Sequence, residues 1–481
     1  LVFIIGFCAI GTGVLATAGA YKVIVTGVPV IAAVYKKLPK IQLPTQTVQA
    51  PATLFKELSP QEFAPSKRVL NHGAIVRNKY MRIDPDQLKE SKSGKLVLKS
   101  RIPLNLFENK KFTALLSKTE ELPSGKLVGF GKLEEDPSSV VSMVVNGNNM
   151  VGHVYTSGKV YEIREAENGI VSVREIDPSK FPKDGHKKKE KKLKKTRVKK
   201  SEPLSLPYVS PQQQPIANII PVTGPTIIDV MVLYSDDARE SAGGQRAIED
   251  LIDLSVADAN LAYENSGVNQ KLRLVHTEEV RYSETNNFEL DLANLETDND
   301  GNIDNVFALR DQYGADMVTL FIADAADSCG ISDPMDDDNY DDYADYAFSV
   351  IEIGCVSNLS YPHELGHGMG AQHDRATSDG AYEGLYDYSN AFQDPGSAFR
   401  TVMAYDCARR SCVRLPFFST PLRTNGSLAL GTVNDDNART LNNTRARVAG
   451  LRLSQEQMAA AQLVGRIMNP GTSNNNKTQP M

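Results

Sequence analysis

Residues 361–374 read YPHELGHGMGAQHD, and no other stretch of the 481-residue chain restricts the fold as tightly. His363 and His367 stand four apart, so on a helix they lie one turn from each other on one face and can reach a single metal ion through imidazole nitrogens. A helix running straight on would carry His373 away from that ion. Gly370 removes the difficulty: with no Cβ it can take the left-handed conformation that ends a helix, turning the chain so that His373 returns as a third ligand. Three of the seven histidines fall within these eleven residues, a concentration that an ordinary surface helix does not explain.

Glu364 sits beside the first histidine, where a carboxylate can take a proton from a metal-polarised water and later pass it to a leaving amine. Three protein ligands leave one tetrahedral position open, as in catalytic rather than structural Zn2+ sites. The residues point to metal-assisted hydrolysis of protein or peptide substrates, with one Zn2+ as cofactor. The alternative from a non-enzyme class is a zinc-stabilised adhesin or binding module, which would have no use for Glu364.

The whole string, HExxHxxGxxHD, resembles that of the metzincin metallopeptidases, and residues 226–452 are similar to bacterial reprolysin-like members of that clan. The resemblance implies a Met-turn downstream, and TVMAYD at 401–406 supplies one. It implies that Met403 forms an apolar floor beneath the histidines and that Asp374 fixes the local backbone or the Met-turn by hydrogen bonds. Tyr405 would approach the metal as a second catalytic residue and stabilise the tetrahedral intermediate, with plain packing as the alternative. The segments GVNQKLRLVH, DNVFALRDQYGADMVTLFIAD, SCGIS and RLPFFSTP are further similar to the peptidyl-Asp metallopeptidase branch, which implies cleavage before acidic residues.

One departure from that pattern is the acidic insertion DPMDDDNYDDYADY at 333–346, ahead of the active-site helix. Acid clusters of this kind are where Ca2+ would bind, but runs of aspartate are more often solvated loops. The D-x-D-G in ETDNDGNIDNVF at 296–307 invites the same thought. Phe307 stands where a calcium loop needs a bidentate Glu, so a turn and helix cap is the reading there.

A chain of this length calls for two or three units. Residues 1–38 open on LVFIIGFCAIGTGVLATAGAY, uncharged and ending in small residues, and read as a signal peptide or hydrophobic leader. A retained membrane anchor is the alternative, and a membrane partner follows only in that case. Residues 39–184 hold alternating runs such as KLVLKSRIPLNLF, SSVVSMVVNG and GKVYEIRE, a β-rich domain whose His72 and His153 read as structural or exposed. Residues 185–225, with HKKKEKKLKKTRVKK and a Pro/Gln-rich stretch, read as a linker with a processing site.

From 226 to 452 strands and helices alternate: IIDVMVLY, a helical stretch at 236–266 closed by Gly267, KLRLVHTEEV, a helix at 304–313 closed by Gly314, then DMVTLFIAD. The expected fold is an α/β (α+β) metzincin-like catalytic domain, with a twisted mixed sheet and an active-site helix, preceded by a β-rich propeptide domain. Residues 453–481 read as a flexible tail.

By resemblance the β-rich domain is an intramolecular inhibitor. No cysteine lies between Cys8 and Cys329, which rules out a propeptide thiolate on the metal. Residues 226–452 carry roughly forty acidic side chains against about sixteen basic ones, so the basic remainder could cover the acidic half electrostatically. That acidity also excludes nucleic acid as a partner. Cys329, Cys355, Cys407 and Cys412 in an exported chain predict two disulfides. Pairing Cys407 with Cys412 leaves Cys329 with Cys355, one of three pairings that four cysteines permit. The localisation that follows is secreted, or periplasmic or membrane-anchored if the leader stays.

Overall fold

The structure, a computed structural model, describes residues 53–59, 61–63, 72–167, 169–185, 224–323, 328–337, 339–377 and 384–460. The leader, residues 186–223 of the linker with the processing site expected there, and the end of the tail lie outside these residues.

Beside a small hairpin at Lys89–Lys92 and Lys95–Leu98, the β-rich region is built on one antiparallel sheet of nine strands. They are β1 (Phe55–Glu57), β2 (Ile75–Ile83), β3 (Arg101–Phe107), β4 (Lys110–Glu121), β5 (Leu127–Leu133), β6 (Val140–Asn146), β7 (Asn149–Tyr155), β8 (Val160–Glu167) and β9 (Ile170–Ile176). Their order is β1-β2-β9-β8-β7-β6-β5-β4-β3. Most strands join their sequence neighbours through short turns, so Gly, Asn and Asp recur between the apolar runs.

The central strands read as continuously apolar because both of their faces are covered. On β6, Val141, Met143 and Val145 belong to the sheet's own core with Leu104, Leu106 and Ile163. Val140 and Val144 point the other way, into a core shared with Ile248, Leu251 and Ala259. The period of two along a strand thus divides one sequence between two cores. Each such side chain, fully buried, contributes roughly 1.5–3 kcal/mol relative to exposure.

The helices and second sheet follow as β10 (Thr226–Ser235), α1 (Asp236–Ala242), α2 (Gln245–Ser266), β11 (Gln270–Val280), α3 (Phe288–Glu296), α4 (Asn305–Tyr313), β12 (Met317–Ile322), β13 (Gly330–Ser332) and β14 (Phe348–Glu352). The sheet order is β11-β10-β12-β14-β13, parallel except for the antiparallel edge strand β13. The mixed sheet of the sequence reading is therefore present. The helical stretch at 236–266 is a correction: it is two helices, because Gly243 and Gly244 (φ 104° and 116°) break it after Ala242. The DNDG segment is a turn, in which Asp304 accepts from the backbone N–H of Asp300 and Gly301.

Two further helices of this half are α5 (Ser360–His367) and α6 (Asn437–Val448). Disulfides join Cys329 to Cys355 and Cys407 to Cys412. The first ties the start of edge strand β13 to the turn after β14, and the second closes a small loop after the Met-turn. No helix among the described residues is long and apolar enough to cross a membrane.

The nine-stranded sheet lies against α2, and the polar contacts run in both directions. Lys126 meets Asp250 and Asp253 at 2.7 and 2.6 Å, and Lys118 meets Glu264 at 2.5 Å. In the opposite sense Lys271 meets Glu120 at 2.7 Å, and Arg246 pairs with Glu165. Among the described residues, charge matching across the interface thus runs both ways.

Candidate metal centre and active site

Helix α5 begins after Leu359, whose φ of 60° turns the chain sharply away from β14, and it ends at His367. His363 and His367 project from one face. The backbone reverses through Gly370, at φ 85°, and His373 returns toward them. The Nε2 atoms of the three rings lie 3.0, 3.0 and 3.2 Å apart. All three residues are buried.

The partners on the other ring nitrogens show why this cluster suits a cation. His363 Nδ1–H donates to the carbonyl of Val402 at 2.9 Å, and His367 Nδ1–H to that of Ala371 at 3.1 Å. These bonds fix the tautomer in which each Nε2 carries a lone pair. Two lone pairs facing each other at 3.2 Å cannot hydrogen-bond, whereas a divalent cation receiving both turns the repulsion into coordination. Three neutral imidazoles are donors that Zn2+ accepts readily.

Glu364 is fully buried beside the cluster. One carboxylate oxygen, Oε2, accepts from Ser332 Oγ on β13 at 2.7 Å, while Oε1 has no hydrogen-bond partner among the described residues. Burial drives its carboxyl well above the usual range and the charge of Asp184 adds to this, while Ser332 and Arg414 pull it back.

Beneath α5 the Met-turn closes the site. A Cβ on Gly366 would stand 2.4 Å from Met403 Sδ, so only glycine lets the methionine approach so closely. Met403 is fully buried, an apolar floor as the resemblance implied. Tyr405 stacks on His373, with ring centroids 4.1 Å apart, and its backbone N–H donates to Asp374 Oδ2 at 3.0 Å. Its hydroxyl donates at 3.3 Å to the backbone carbonyl of Asp184.

Asp184 carries no chemistry in the sequence reading, which places it at the boundary between β-rich domain and linker. Its carboxylate is fully buried, accepting from Ser360 Oγ and Arg414 Nη2 at 2.8 Å each and lying 3.8 Å from His363 Nδ1. Its neighbours attach to the edge strand: Gly185 N–H donates to Gly330 O at 2.7 Å, and Ser328 Oγ donates to Lys183 O at 2.9 Å. Arg414 and Arg400 are partners in register on two short paired strands. Burial and then Arg414 lower the Arg400 guanidinium to about 9, while Asp406 steadies it at 3.2 Å.

His153 is likewise more than the sequence suggested. It is fully buried between the two halves, with Nδ1 2.6 Å from Asp258 on α2 and Nε2 3.7 Å from Glu162. A periodic pattern of Val140, Ser142, Val144 and then Val151, His153, Tyr155 could have flagged this face, but only with the partner helix known. The acidic segment at 333–346 is partly buried. Within it Asn339 Oδ1 accepts from the Asp336 N–H and Tyr343 OH donates to the Asp333 carbonyl.

A convergent histidine triad, an adjacent buried carboxylate and a methionine floor together define a metallopeptidase centre. The profile of metallo-peptidase family M12, reprolysin type, matches residues 224–414. A peptidyl-Asp metalloendopeptidase of Stenotrophomonas maltophilia (strain R551-3) is 31% identical over 359 residues, covering 70% of this chain and 80% of that protein. The one of strain K279a is 29% identical over 360 residues, covering 71% and 81%. One of Pseudomonas fragi is 30% identical over 198 residues, 40% of this chain and all of that protein. For the crystal structure of metalloproteinase-II from Bacteroides fragilis the TM-score is 0.34 at 11% identity, over 59% of this chain and 84% of that one. For a structure of a chaperone-substrate complex it is 0.38 at 20% identity, over 48% of this chain and only 36% of that one. The chain belongs to the reprolysin-like metallopeptidases of family M12 and is a zinc metalloendopeptidase.

Proposed function

We propose that the chain is the zymogen of a secreted endopeptidase in which His363, His367 and His373 hold one Zn2+ and Glu364 is the general base. The observation that carries this reading is the pair of Nδ1–H bonds to Val402 and Ala371, which turn the Nε2 lone pairs of His363 and His367 toward one point next to Glu364. Zinc, when bound, supplies Lewis acidity toward a water and the scissile carbonyl.

The chain's own residues do the rest. Glu364, held by Ser332 Oγ, takes the proton of the attacking water on one carboxylate oxygen and delivers it to the departing amine. Tyr405 keeps the His373 ring in place by stacking, and its hydroxyl is positioned to donate to a backbone carbonyl at the rim of the site. Protein or peptide substrates follow from this chemistry.

The relatives are named peptidyl-Asp metalloendopeptidases, and the same preference, cleavage on the amino side of Asp, is the reading for this chain. The nine-stranded domain is read as the propeptide, since it buries one of its faces on α2 and its end reaches the cleft. Secretion accords with the two disulfides. Calcium remains a lesser candidate, placed by the sequence at the acidic segment.

The test is to incubate the zinc-loaded, processed protein with denatured protein substrates and read the new N-termini by mass spectrometry. New N-termini beginning predominantly with Asp are expected. Cuts with no acidic preference would remove the specificity, and the absence of any cut would remove the enzymatic reading.

A further inference from the structure

Asp184 comes from the nine-stranded half of the chain, yet its carboxylate ends in the metallopeptidase half, in a pocket built for a negative charge. The pocket's wall is Arg414, itself almost wholly buried. Its Nη1 donates to the Asn358 carbonyl at 2.9 Å and its Nη2 to the Ala404 carbonyl at 3.0 Å, so two neutral backbone oxygens aim the guanidinium without neutralising it. Among the described residues its charged hydrogen-bond partner is Asp184. Ser360 Oγ, at the first turn of α5, donates to the other carboxylate oxygen.

The charge balance makes this pocket selective. Arg400 and Arg414 lie side by side and buried; Asp406 answers the first and Asp184 the second. With Asp184 withdrawn, a buried guanidinium would lack its counter-ion, an unfavourable state until another anion enters. The pocket also opens beside the metal centre. Asp184 Oδ2 is 3.8 Å from His363, and the same residue's carbonyl accepts from Tyr405 OH, which stacks on His373. A residue whose side chain fills this pocket thus brings its backbone carbonyl to the Tyr405 hydroxyl, beside the His373 ring.

We propose that Arg414 and Ser360 form the pocket that selects an acidic side chain in the substrate, and that Asp184 occupies it as a built-in competitor that keeps the full-length chain latent. This rests on the endopeptidase reading above and adds its specificity residue and its regulation. Latency then needs neither a cysteine nor a bond from the prosegment to the metal: the segment at 183–185 lies along β13 through Gly330 and Ser328 and blocks the cleft with the side chain that the enzyme prefers.

The test uses the full-length, zinc-loaded chain as wild type, Asp184→Ala, Asp184→Ala with Arg414→Gln, and Asp184→Ala with Ser360→Ala. Each is assayed with two fluorogenic peptides that differ only in Asp or Asn at one position. Each is also assayed, on a Glu364→Gln background, for binding of the labelled Asp peptide by anisotropy. Asp184→Ala should raise both Asp-peptide turnover and affinity roughly tenfold or more, with a clear preference over the Asn peptide. Arg414→Gln should bring the Asp-to-Asn ratio close to one, and Ser360→Ala, the milder change, should lower it in the same direction. Loss of folding in the Arg414 variant, read by near-ultraviolet circular dichroism, leaves the Ser360 variant to decide.

An Asp184→Ala chain that binds and cuts the Asp peptide no better than wild type overturns the proposal. So does an unchanged Asp-to-Asn ratio in folded Arg414 and Ser360 variants. If no chain cuts either peptide but binding still follows Asp184 and Arg414, the endopeptidase reading fails and the pocket for an acidic side chain stands.

Discussion

The Tyr405 backbone N–H donates to Asp374 Oδ2 at 3.0 Å, tying the loop of the third histidine to the Met-turn below it. The other carboxylate oxygen of Asp374, Oδ1, accepts from the N–H groups of Ala376 and Thr377 at 3.1 and 2.9 Å. One buried side chain therefore holds the segments on both sides of the His373 ring.

Asp374→Ala should accordingly cost more than a surface change. Three backbone N–H groups, Tyr405's buried, Thr377's half-buried and Ala376's exposed, lose a charged acceptor, which corresponds to about 2–4 kcal/mol. The expected result is a clearly lowered midpoint in denaturant unfolding, together with weaker zinc retention on dialysis. A midpoint within the error of wild type would show that Asp374 has no anchoring role.

Chelation tests the histidine triad as a unit. Removing zinc from the processed protein should abolish proteolysis, and one equivalent of Zn2+ per chain should restore it. His367→Ala should bind less than a tenth of that zinc by atomic absorption, since two imidazoles hold the ion far more weakly than three. Full zinc occupancy in the variant would place the metal elsewhere.

His153 gives the full-length chain a pH dependence. Burial alone would lower its pKa, but the charge and hydrogen bond of Asp258, with Glu162 behind them, raise it from 6.5 to about 9. The other groups facing it are Tyr155, which is 3.3 Å from Nδ1, and Arg164 and Arg174, both paired with Glu162. The protonated ring is the form favoured by the folded chain. Its contribution is therefore complete below pH 6.5 and is lost as pH rises through about 9, a change on the order of 3 kcal/mol.

Stability of the full-length chain, followed by urea unfolding, should therefore fall between pH 6.5 and 9.5. His153→Gln should be less stable at pH 6 and should flatten that fall. A variant as pH-dependent as wild type would assign the effect to other groups.

The disulfide between Cys329 and Cys355 spans 26 residues and fixes the start of β13. Replacing both cysteines by alanine should cost about 3 kcal/mol, most of it through the freer unfolded chain. Because β13 carries Ser332, which holds Glu364, activity at low temperature should fall as well. Thermal unfolding and initial rates on one peptide check both effects.

Much of the site was legible in the sequence because its geometry is local. The interval of four between His363 and His367 and the glycine at 370 are short-range constraints, and each appears in the structure as a shared face or a left-handed turn. The strands at 226–235, 270–280 and 317–322 were visible as apolar runs of ordinary length for the same reason. What could not be read were pairings across more than a hundred residues. Asp184 meets Arg414 across 230 positions and His153 meets Asp258 across 105, and neither carries a sequence signature, since a lone acid before a lysine-rich stretch looks like any other. The break at Gly243 and Gly244 carries no such mark, because the apolar period continues across it.

The most direct measurement compares wild type with Glu364→Gln in the processed protein, both loaded to one zinc per chain and both shown to be folded, on a peptide containing a single Asp. Glu364 is assigned the proton transfer, so the rate should fall by about 10²- to 10⁴-fold with zinc content and unfolding midpoint unchanged. A variant that cuts at the wild-type rate would contradict the account, because the proton would then be moved by a group other than Glu364.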